Sequence, residues 1–354
     1  MQLVNPNQKR KKSIICLVII AVVAAGVIIW IGYLARIGRL EFGGLIGERA
    51  AKEGLVSRRL DGVLVDPEEA DFWPVAVMID NMTTARPHSG LDKAGVVYEA
   101  LVEGGCTRFM AVYETSQRAD EIGPVRSARP YYLDWVKGLD ALYVHCGGSN
   151  EALGAIGTGG IRDIDQITGA SRFFWRDKSR YAPHNLFTSS KLLDHAVLDS
   201  GLSDKKASYQ SWKFKDDKVS EERPSDEKFI KIDFSSVSWL VEYSYDRKNN
   251  QYLRSMGGTA HKDKITGKQY TAKNVVVQYV SSSVQDAVGR LAMDTIGEGK
   301  ALVFRDGEVI EGTWKKGSRE ARIKFYNTDG REVEFNRGQT WVEIVLPERP
   351  VEYN

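Results

Sequence analysis

Short runs of consecutive apolar residues, separated by polar loops, dominate the chain between residues 60 and 204. Val75–Ile79, Phe109–Tyr113 and Ala141–His145 have the length of strands and no polar alternation, which is typical of strands buried on both faces. Leu91–Ala100 mixes apolar and charged residues and is compatible with a helix or a further strand. The pattern therefore predicts at least three buried strands here.

Three helices are predicted between and after these strands. Arg129–Lys137 places aromatic residues at helical spacing, and Ser149 is positioned to cap a helix over Asn150–Ile156. A third helix is predicted over residues 188–198, with Gly201 ending it. Alternation of strand, helix and strand indicates an α/β arrangement.

From Lys231 onward the pattern changes to that of β-structure. Asp306-Gly307 between Ala301–Arg305 and Glu308–Trp314 is the strongest hairpin signal in the chain. The other predicted strands are Val237–Tyr245, Gln251–Met256, Asn274–Val280, Arg322–Tyr326, Glu332–Phe335 and Thr340–Leu346. An antiparallel, β-rich second domain is expected.

The predicted fold class is α+β: a mixed α/β N-terminal domain, then an antiparallel β-rich C-terminal domain, with one N-terminal transmembrane helix. The polar, charge-dense stretch between the two patterns is expected to be a linker. The predicted segments are a cytoplasmic basic tail (1–12), a transmembrane anchor (13–34), a stalk (35–59), the first domain (60–204), the linker (205–230), the second domain (231–347) and a C-terminal tail (348–354).

The anchor is predicted from Ser13–Leu34, which contains no charged residue and is long enough to cross a hydrocarbon core of about 30 Å as a helix. The basic residues 9–12 precede it and should remain cytoplasmic, while Trp30 and Tyr33 lie where interfacial aromatics belong. We expect a single-pass signal anchor in the cell membrane rather than a cleaved signal peptide, with the main domains extracytoplasmic.

The 354-residue chain carries a formal net charge of only +2, and the four basic residues at 9–12 more than account for it. A nearly neutral ectodomain argues against nucleic acid as a partner. The expected partners are the membrane through Ser13–Leu34, a cell-wall glycan or anionic polymer, or an envelope protein. No cofactor is predicted.

Cys106 and Cys146 would both lie outside the membrane, where a disulfide between them can persist. Two free, buried thiols are nevertheless expected, with the disulfide as the alternative, because a bridge requires a Cα separation that the sequence does not show. Cys16 begins the apolar run and is poorly placed to be a lipoprotein cysteine.

Candidate chemistry is concentrated in the polar loops of the first domain. His88 and His184 are candidate general acid–base groups, and Asp80 is a candidate for orienting one of them. Purely structural, hydrogen-bonded histidines are the alternative. HxH, HExxH and CxxC spacings are missing from the sequence, so no metal site is predicted.

Arg126 and Arg129, three residues apart, could fork onto a phosphate or a carboxylate. They could equally pair with internal carboxylates such as Glu99, Glu103 or Glu114. The candidate ligand-binding residues are Asn81, Arg86, Glu99, Glu103, Arg126, Arg129, Arg176 and Asn185.

Glu99 and Glu103 are also spaced as a carboxylate pair of the kind used in glycoside hydrolysis, although ion pairs with Arg108 or Arg126 are the favoured interpretation. The tryptophans of the second domain, Trp239, Trp314 and Trp341, could stack on sugars or pack in the core.

Several motifs resemble the YerB family of bacterial cell-envelope lipoproteins. They include VAVMIDN, ARPHSGLDKAGVVYEALVEGG, TRFMAVYE, IGPVRSARPYYLDWVKG, ALYVHCGGS, APHNLFTS, NVVVQYV, EGKALVFRDGEVIEGTWKK and GQTWVEIVLP. The resemblance extends from about Leu60 to Pro347. It implies two domains on the outer side of the membrane and, because the family is one of unknown function, very little mechanism. This chain departs from the family in lacking a usable lipobox and in having Cys106 and Cys146.

Two hypotheses follow. The first is a non-catalytic envelope protein that binds an anionic or glycan wall component, or a protein partner, in a cleft of the first domain. The alternative is an envelope hydrolase or transferase that acts on a glycan or phosphodiester bond with a histidine as general acid and base.

Overall fold

The computed structural model describes residues 54–114 and 118–354 of the chain. The predicted basic tail, the anchor at Ser13–Leu34 and most of the stalk lie outside these residues, so they stay predictions. Within the described ranges, no helix has both the length and the apolar character needed to cross a membrane.

The described residues are mainly β-strand, with three short α-helices. The helices are α1 (Tyr132–Gly138), α2 (Asn150–Thr158) and α3 (Ser190–Asp199). The strands of the first half are β1 (Val56–Ser57), β2 (Leu64–Val65), β3 (Val75–Asp80), β4 (Val96–Leu101), β5 (Thr107–Tyr113), β6 (Leu142–His145), β7 (Asp163–Asp165), β8 (Trp175–Arg176) and β9 (Leu186–Phe187).

The second half contributes the remaining strands. They are β10 (Lys213–Lys215), β11 (Phe229–Asp233), β12 (Leu240–Asp246), β13 (Gln251–Met256), β14 (Thr259–Ala260), β15 (Thr271–Ala272), β16 (Asn274–Tyr279), β17 (Ser282–Val284), β18 (Leu291–Met293), β19 (Gly297–Arg305), β20 (Glu308–Lys316), β21 (Lys324–Asn327), β22 (Glu334–Asn336), β23 (Thr340–Val345) and β24 (Val351–Tyr353).

The predicted elements are largely present. Leu91–Ala100 divides between the two expected kinds of element: Leu91–Lys93 forms a short 3₁₀ turn, and β4, which is buried along its whole length, begins at Val96. Ser149 caps α2 by accepting a hydrogen bond from the Ala152 N–H at 3.2 Å, and the helix continues through Gly157 to Thr158. Asp306 and Gly307 both have positive φ, as a tight hairpin turn between β19 and β20 requires.

One ten-stranded sheet contains strands from both halves, in the order β21-β20-β19-β16-β23-β4-β5-β3-β6-β7. Strand β23 lies between β16 and β4 and runs parallel to both. Thr340–Leu346 was predicted to close an antiparallel sheet, whereas β23 occupies the centre of a mixed one. The reason is that all six of its residues are buried, as expected of a strand covered on both faces. The two predicted domains therefore share one hydrophobic core.

A second sheet, of order β14-β13-β12-β11-β24 with β15 beside β13, is built wholly from the second half. The predicted C-terminal tail belongs to this sheet, because β24 pairs with β11. The predicted linker is also packed: β10 pairs with β22, and the buried Trp212 ring stacks on Phe335 at 4.7 Å between centroids. A lone tryptophan in a charged segment gives that segment an apolar group to bury.

Strand direction gathers the polar loops of the first half at one edge of the large sheet. Strands β3, β4, β6 and β23 all run the same way, so their carboxyl ends share that edge. Ligand sites of open α/β sheets lie at such edges. Asp80, at the end of β3, is on this edge.

The shared sheet predicts that the two halves do not fold independently. A fragment of residues 56–229 lacks β23 and would expose β4 as a long, apolar, unpaired edge. We expect this fragment to aggregate or to lack a cooperative thermal transition by circular dichroism, whereas residues 56–354 unfold in one transition. A sharp, reversible transition of the short fragment would contradict the shared core.

Candidate functional site

Three side chains meet at the end of β3 and form what we call the Asp80 cluster: Asp80, Arg126 and His184. Asp80 Oδ2 accepts a hydrogen bond from His184 Nδ1 at 2.6 Å and another from Arg126 Nε at 3.1 Å. The carboxylate is only 1% exposed, whereas the side chains of His184 and Arg126 are 18% and 27% exposed. One buried carboxylate therefore orients two side chains that reach solvent.

Backbone hydrogen bonds hold the loops of the Asp80 cluster against β3. The Asp80 N–H donates to Pro124 O, and the Arg126 N–H donates to Met78 O, each at 2.9 Å. The His184 N–H donates to Tyr181 O at 3.0 Å and closes a turn just before β9. These bonds fix the positions from which the two side chains converge.

Polar nitrogen atoms of the Asp80 cluster remain available for a ligand. Arg126 donates from Nε to Asp80, and its two Nη groups have no hydrogen-bond partner among residues 54–114 and 118–354. His184 Nε2 likewise has no partner in that part of the chain. The cluster therefore presents a guanidinium edge and an imidazole nitrogen to the outside.

Beneath the Asp80 cluster lies a group that we call the buried network: Glu99, Arg254, Glu343, Tyr243, His261 and His88. Its central contact is an ion pair between Arg254 Nη2 and Glu99 Oε2, with both side chains 0% exposed. Glu99 also accepts hydrogen bonds from Thr107 Oγ1 at 2.5 Å and from Asn81 Nδ2 at 3.1 Å. Buried charges require such complete pairing.

Glu343 is the second carboxyl group of the buried network and lies opposite Glu99 on the adjacent parallel strand. Burial and the nearby Glu99 charge raise the pKa of Glu343 well above its usual range. Its Oε1 accepts a hydrogen bond from Tyr243 OH at 2.5 Å. A protonated Glu343 leaves Arg254 and Glu99 as a charge-balanced pair.

A directed chain of hydrogen bonds connects Arg254 to Asp80. Arg254 donates to His261 Nδ1 at 2.5 Å, so His261 carries its proton on Nε2 and donates to His88 Nδ1 at 2.8 Å. His88 Nε2–H then donates to the backbone oxygen of Asp80 at 2.8 Å. Burial and the neighbouring arginine charges lower the pKa of His88 to about 3 and that of His261 well below its usual value. Both imidazoles are therefore neutral.

The structure separates the predicted catalytic residues. Asp80 and His184 are in direct contact at the surface, but His88 is 0% exposed and saturated by His261 and Asp80. A general acid–base role for His88 conflicts with this burial. The structural alternative for His88 explains its contacts.

The predicted ligand-binding residues also divide by environment. Asn81 and Glu99 are fully buried in internal hydrogen bonds. Arg129 forms an ion pair with Glu103, and although burial alone would raise the pKa of Glu103, Arg129 lowers it to about 2. The internal-pairing alternative thus explains Arg129 and Glu103.

Arg86 and Arg176 lie beside the Asp80 cluster and remain partly or largely exposed. Arg86 Nε donates to Asn81 Oδ1 at 3.1 Å, and its guanidinium lies 5.8 Å from the Trp239 ring centre. Arg176 Nη1 donates to Asn185 Oδ1 at 2.8 Å, in the segment that leads into His184. These side chains add positive charge around the cluster.

Cys106 and Cys146 are both free thiols in the structure. Cys106 Sγ contacts Met82 Sδ at 3.0 Å, and Cys146 Sγ contacts Gln166 Oε1 at 3.4 Å, so each has its own partner. The expectation of free thiols is therefore met and the alternative of a bridge between them is absent, and burial raises the pKa of both thiols.

The tryptophans divide between core and site. Trp314 and Trp341 are buried in the core, whereas Trp239 is half-buried and donates from Nε1 to Asn81 O at 3.1 Å.

A separate cleft of about 380 Å³ is lined mainly by side chains around Trp73 and α3, and His88, Arg126 and His184 are not part of it.

Sequence reasoning missed the contribution of the second half to this region. Arg254, His261, Tyr243 and Glu343 were not singled out, although two of them carry a readable signal. Arg254 alternates with Tyr252 and Met256 on the buried face of β13, and Glu343 is the one charged residue in the apolar run of β23. A charge at an inward position indicates a buried partner.

Comparisons with known proteins identify relatives over most of the chain. A family model described as "Protein of unknown function (DUF3048) N-terminal domain" matches residues 60–203, and the DUF3048 C-terminal domain model matches residues 230–342. The protein named "Putative lipoprotein YerB" from Bacillus subtilis (strain 168) is 34% identical over 294 residues, which cover 81% of this chain and 85% of the relative. The crystal structure of YerB from Bacillus subtilis has a TM-score of 0.74 at 32% identity and covers 84% of this chain and 99% of its own.

Removing Arg254 should destabilise the protein far more than removing an exposed arginine. Arg254→Met leaves Glu99 as a buried, unpaired charge, which costs about 3–5 kcal/mol of unfolding free energy in urea titrations. Arg172→Met, which breaks an exposed pair with Asp199, should cost about 0–1 kcal/mol. Adding Glu99→Gln to Arg254→Met should recover part of the loss, and equal effects of the two single arginine variants would argue against the buried network.

The neutral His88 predicts a specific pH dependence of stability. Below about pH 6.5 the unfolded chain binds a proton at His88, whereas the folded protein does not until about pH 3. Stability is therefore lost as the pH falls through this window, by up to about 1.4 kcal/mol per pH unit. Urea titrations between pH 6.5 and 5 should show a shallower slope for His88→Asn than for the wild type, while His195→Asn, at an exposed position of α3, keeps the wild-type slope. Parallel slopes for wild type and His88→Asn would contradict a neutral buried His88.

Proposed function

This chain belongs to the DUF3048 family, which it shares with YerB of Bacillus subtilis, and from that premise we propose that it is a membrane-associated, extracytoplasmic envelope protein that binds an anionic group of a cell-wall glycan at the Asp80 cluster. The family itself has no known function, so the proposed ligand rests on the geometry of the site.

The proposed location rests on two observations. The relative from Bacillus subtilis bears the name "Putative lipoprotein YerB", and we take membrane association from that name. In this chain the uncharged segment Ser13–Leu34, preceded by four basic residues, offers a membrane anchor that does not require a lipid-modified cysteine. The described unit, which begins at Val56, would then lie outside the membrane.

The observation that carries the proposed ligand is the orientation of Arg126 and His184 by one buried carboxylate. Asp80 fixes Nε of the guanidinium and Nδ1 of the imidazole, so the Nη groups of Arg126 and Nε2 of His184 are pre-oriented toward solvent. Pre-orientation reduces the entropy lost on binding. A guanidinium edge is the group best matched to two oxygens of a phosphate or a carboxylate.

The surroundings of the Asp80 cluster favour an anion. Arg126 offsets the charge of Asp80, whose carboxylate is shielded from solvent. Arg86 and Arg176 lie alongside, and Lys178 is exposed in the loop before His184. Asp177, the carboxylate in this loop, is paired with Lys264 at 3.1 Å. A negatively charged ligand therefore meets the additional positive charges of Arg86, Arg176 and Lys178 beside the paired Arg126.

A second candidate function is favoured by the Asp80–His184 contact itself. A carboxylate on Nδ1 holds an imidazole in the orientation that leaves Nε2 free to exchange a proton with a substrate. On this alternative the protein is an envelope hydrolase or transferase that acts on a glycan or phosphodiester bond. His184 is then the general acid and base, because His88 is buried.

Binding measurements test the proposed anion site. Isothermal titration with a phosphate-bearing wall glycan should show a roughly 10- to 100-fold loss of affinity for Arg126→Ala, since a hydrogen bond to a charged group contributes about 1.5–3 kcal/mol. Arg162→Ala, which removes an exposed arginine paired with Asp140, is the matched control and should bind like the wild type. Thermal unfolding of both variants verifies that they are folded.

Two further measurements separate the two candidate functions. Equal affinity for the glycan before and after enzymatic removal of its phosphate would contradict the anion site. Mass spectrometry of the incubated glycan detects products if the protein is an enzyme, and turnover that disappears in His184→Ala would favour the second candidate.

A further inference from the structure

Tyr181 is the most exposed of the large apolar side chains in the described part of the chain, with 91% of its surface in solvent. Tyr98, Tyr132, Tyr143 and Tyr243, by contrast, are almost fully buried. An exposed apolar side chain has no functional meaning by itself. Tyr181 differs because it belongs to the turn that carries His184 of the Asp80 cluster.

The turn that carries Tyr181 is held firmly on both sides. Arg180, its neighbour, donates from Nη1 to Ala85 O and from Nη2 to Pro87 O, each at 2.8 Å. On the other side, Asn185 Nδ2 donates to the Arg180 carbonyl at 3.3 Å, and the Asp177 N–H donates to Asn185 O at 2.8 Å. The backbone under Tyr181 is therefore held in place, although the residue itself is 91% exposed.

A rigidly mounted aromatic ring is suited to binding. The Tyr side chain has few rotatable bonds, so it offers a large contact area for little conformational entropy. The contact becomes favourable only when a ligand covers the ring and removes it from water. Tyr181 is therefore free to be covered by a ligand at little cost in conformational entropy.

We propose that Tyr181 is a stacking platform for a sugar ring, and that the ligand of the Asp80 cluster is a sugar carrying a phosphate or carboxylate rather than a bare anion. This inference rests on the proposed anion site and specifies its ligand class. Arg126 and His184 take the charged group, and the aromatic face takes the apolar face of the adjoining sugar. The three-residue separation between Tyr181 and His184 places the two contacts within one turn.

The test compares three probes on the full-length chain purified in detergent: inorganic phosphate, glycerol 1-phosphate and N-acetylglucosamine 1-phosphate. The wild type should bind the sugar phosphate about tenfold more tightly than either of the other two. Tyr181→Ala should abolish this preference and leave the affinity for inorganic phosphate unchanged. Tyr181→Phe, which keeps the ring, should retain the preference. Because Tyr181 is exposed, neither substitution disturbs the core.

Leu198→Ala is the matched control, because Leu198 on α3 is 62% exposed and outside the turn. It should leave all three affinities unchanged. If Arg126→Ala abolishes phosphate binding while Tyr181→Ala keeps the sugar preference, or if the wild type shows no such preference, the stacking role is overturned and the anion site stands. If the wild type binds none of the three probes, the anion site and the stacking role both fail.

Discussion

The fully buried ion pair between Arg254 and Glu99 is the contact on which the organisation of this protein depends. It joins β13 of the second half to β4 of the first, inside the space between the two sheets. Charges at such a depth are tolerated only when every partner is present. Thr107, Asn81 and Tyr243 supply those partners, so the two sheets can meet in only a narrow range of arrangements.

A chain of hydrogen bonds through His261 and His88 connects the same ion pair to the Asp80 cluster at the surface. That chain ends on the backbone of Asp80, whose side chain orients Arg126 and His184. The candidate site therefore belongs to both halves of the chain, although its solvent-facing groups come from the first.

The exposed groups and the buried groups have different chemical roles. Arg126, His184 and Tyr181 present donors and an aromatic face to solvent, whereas the neutral histidines beneath them supply fixed hydrogen bonds and no charge. An ionised His88 would repel Arg86 and Arg254 and weaken the support of Asp80. Keeping the buried histidines neutral leaves the positive charge at the surface, where an anion can use it.

The sequence by itself determined the local structure and the place of the site. Apolar runs such as Val75–Ile79, the Ser149 cap and the Asp306-Gly307 turn depend on near neighbours, so their patterns identify the strands, the helix and the hairpin. The sequence also indicated Asp80, Arg126 and His184, because polar loops follow buried strands. Only the tertiary structure decided that β23 joins the halves into one sheet, that His88 is buried and that Arg254, His261 and Glu343 support the site. Those outcomes depend on contacts between residues far apart in the chain, whose pairing and desolvation are set by how the sheets pack and leave no periodic signal.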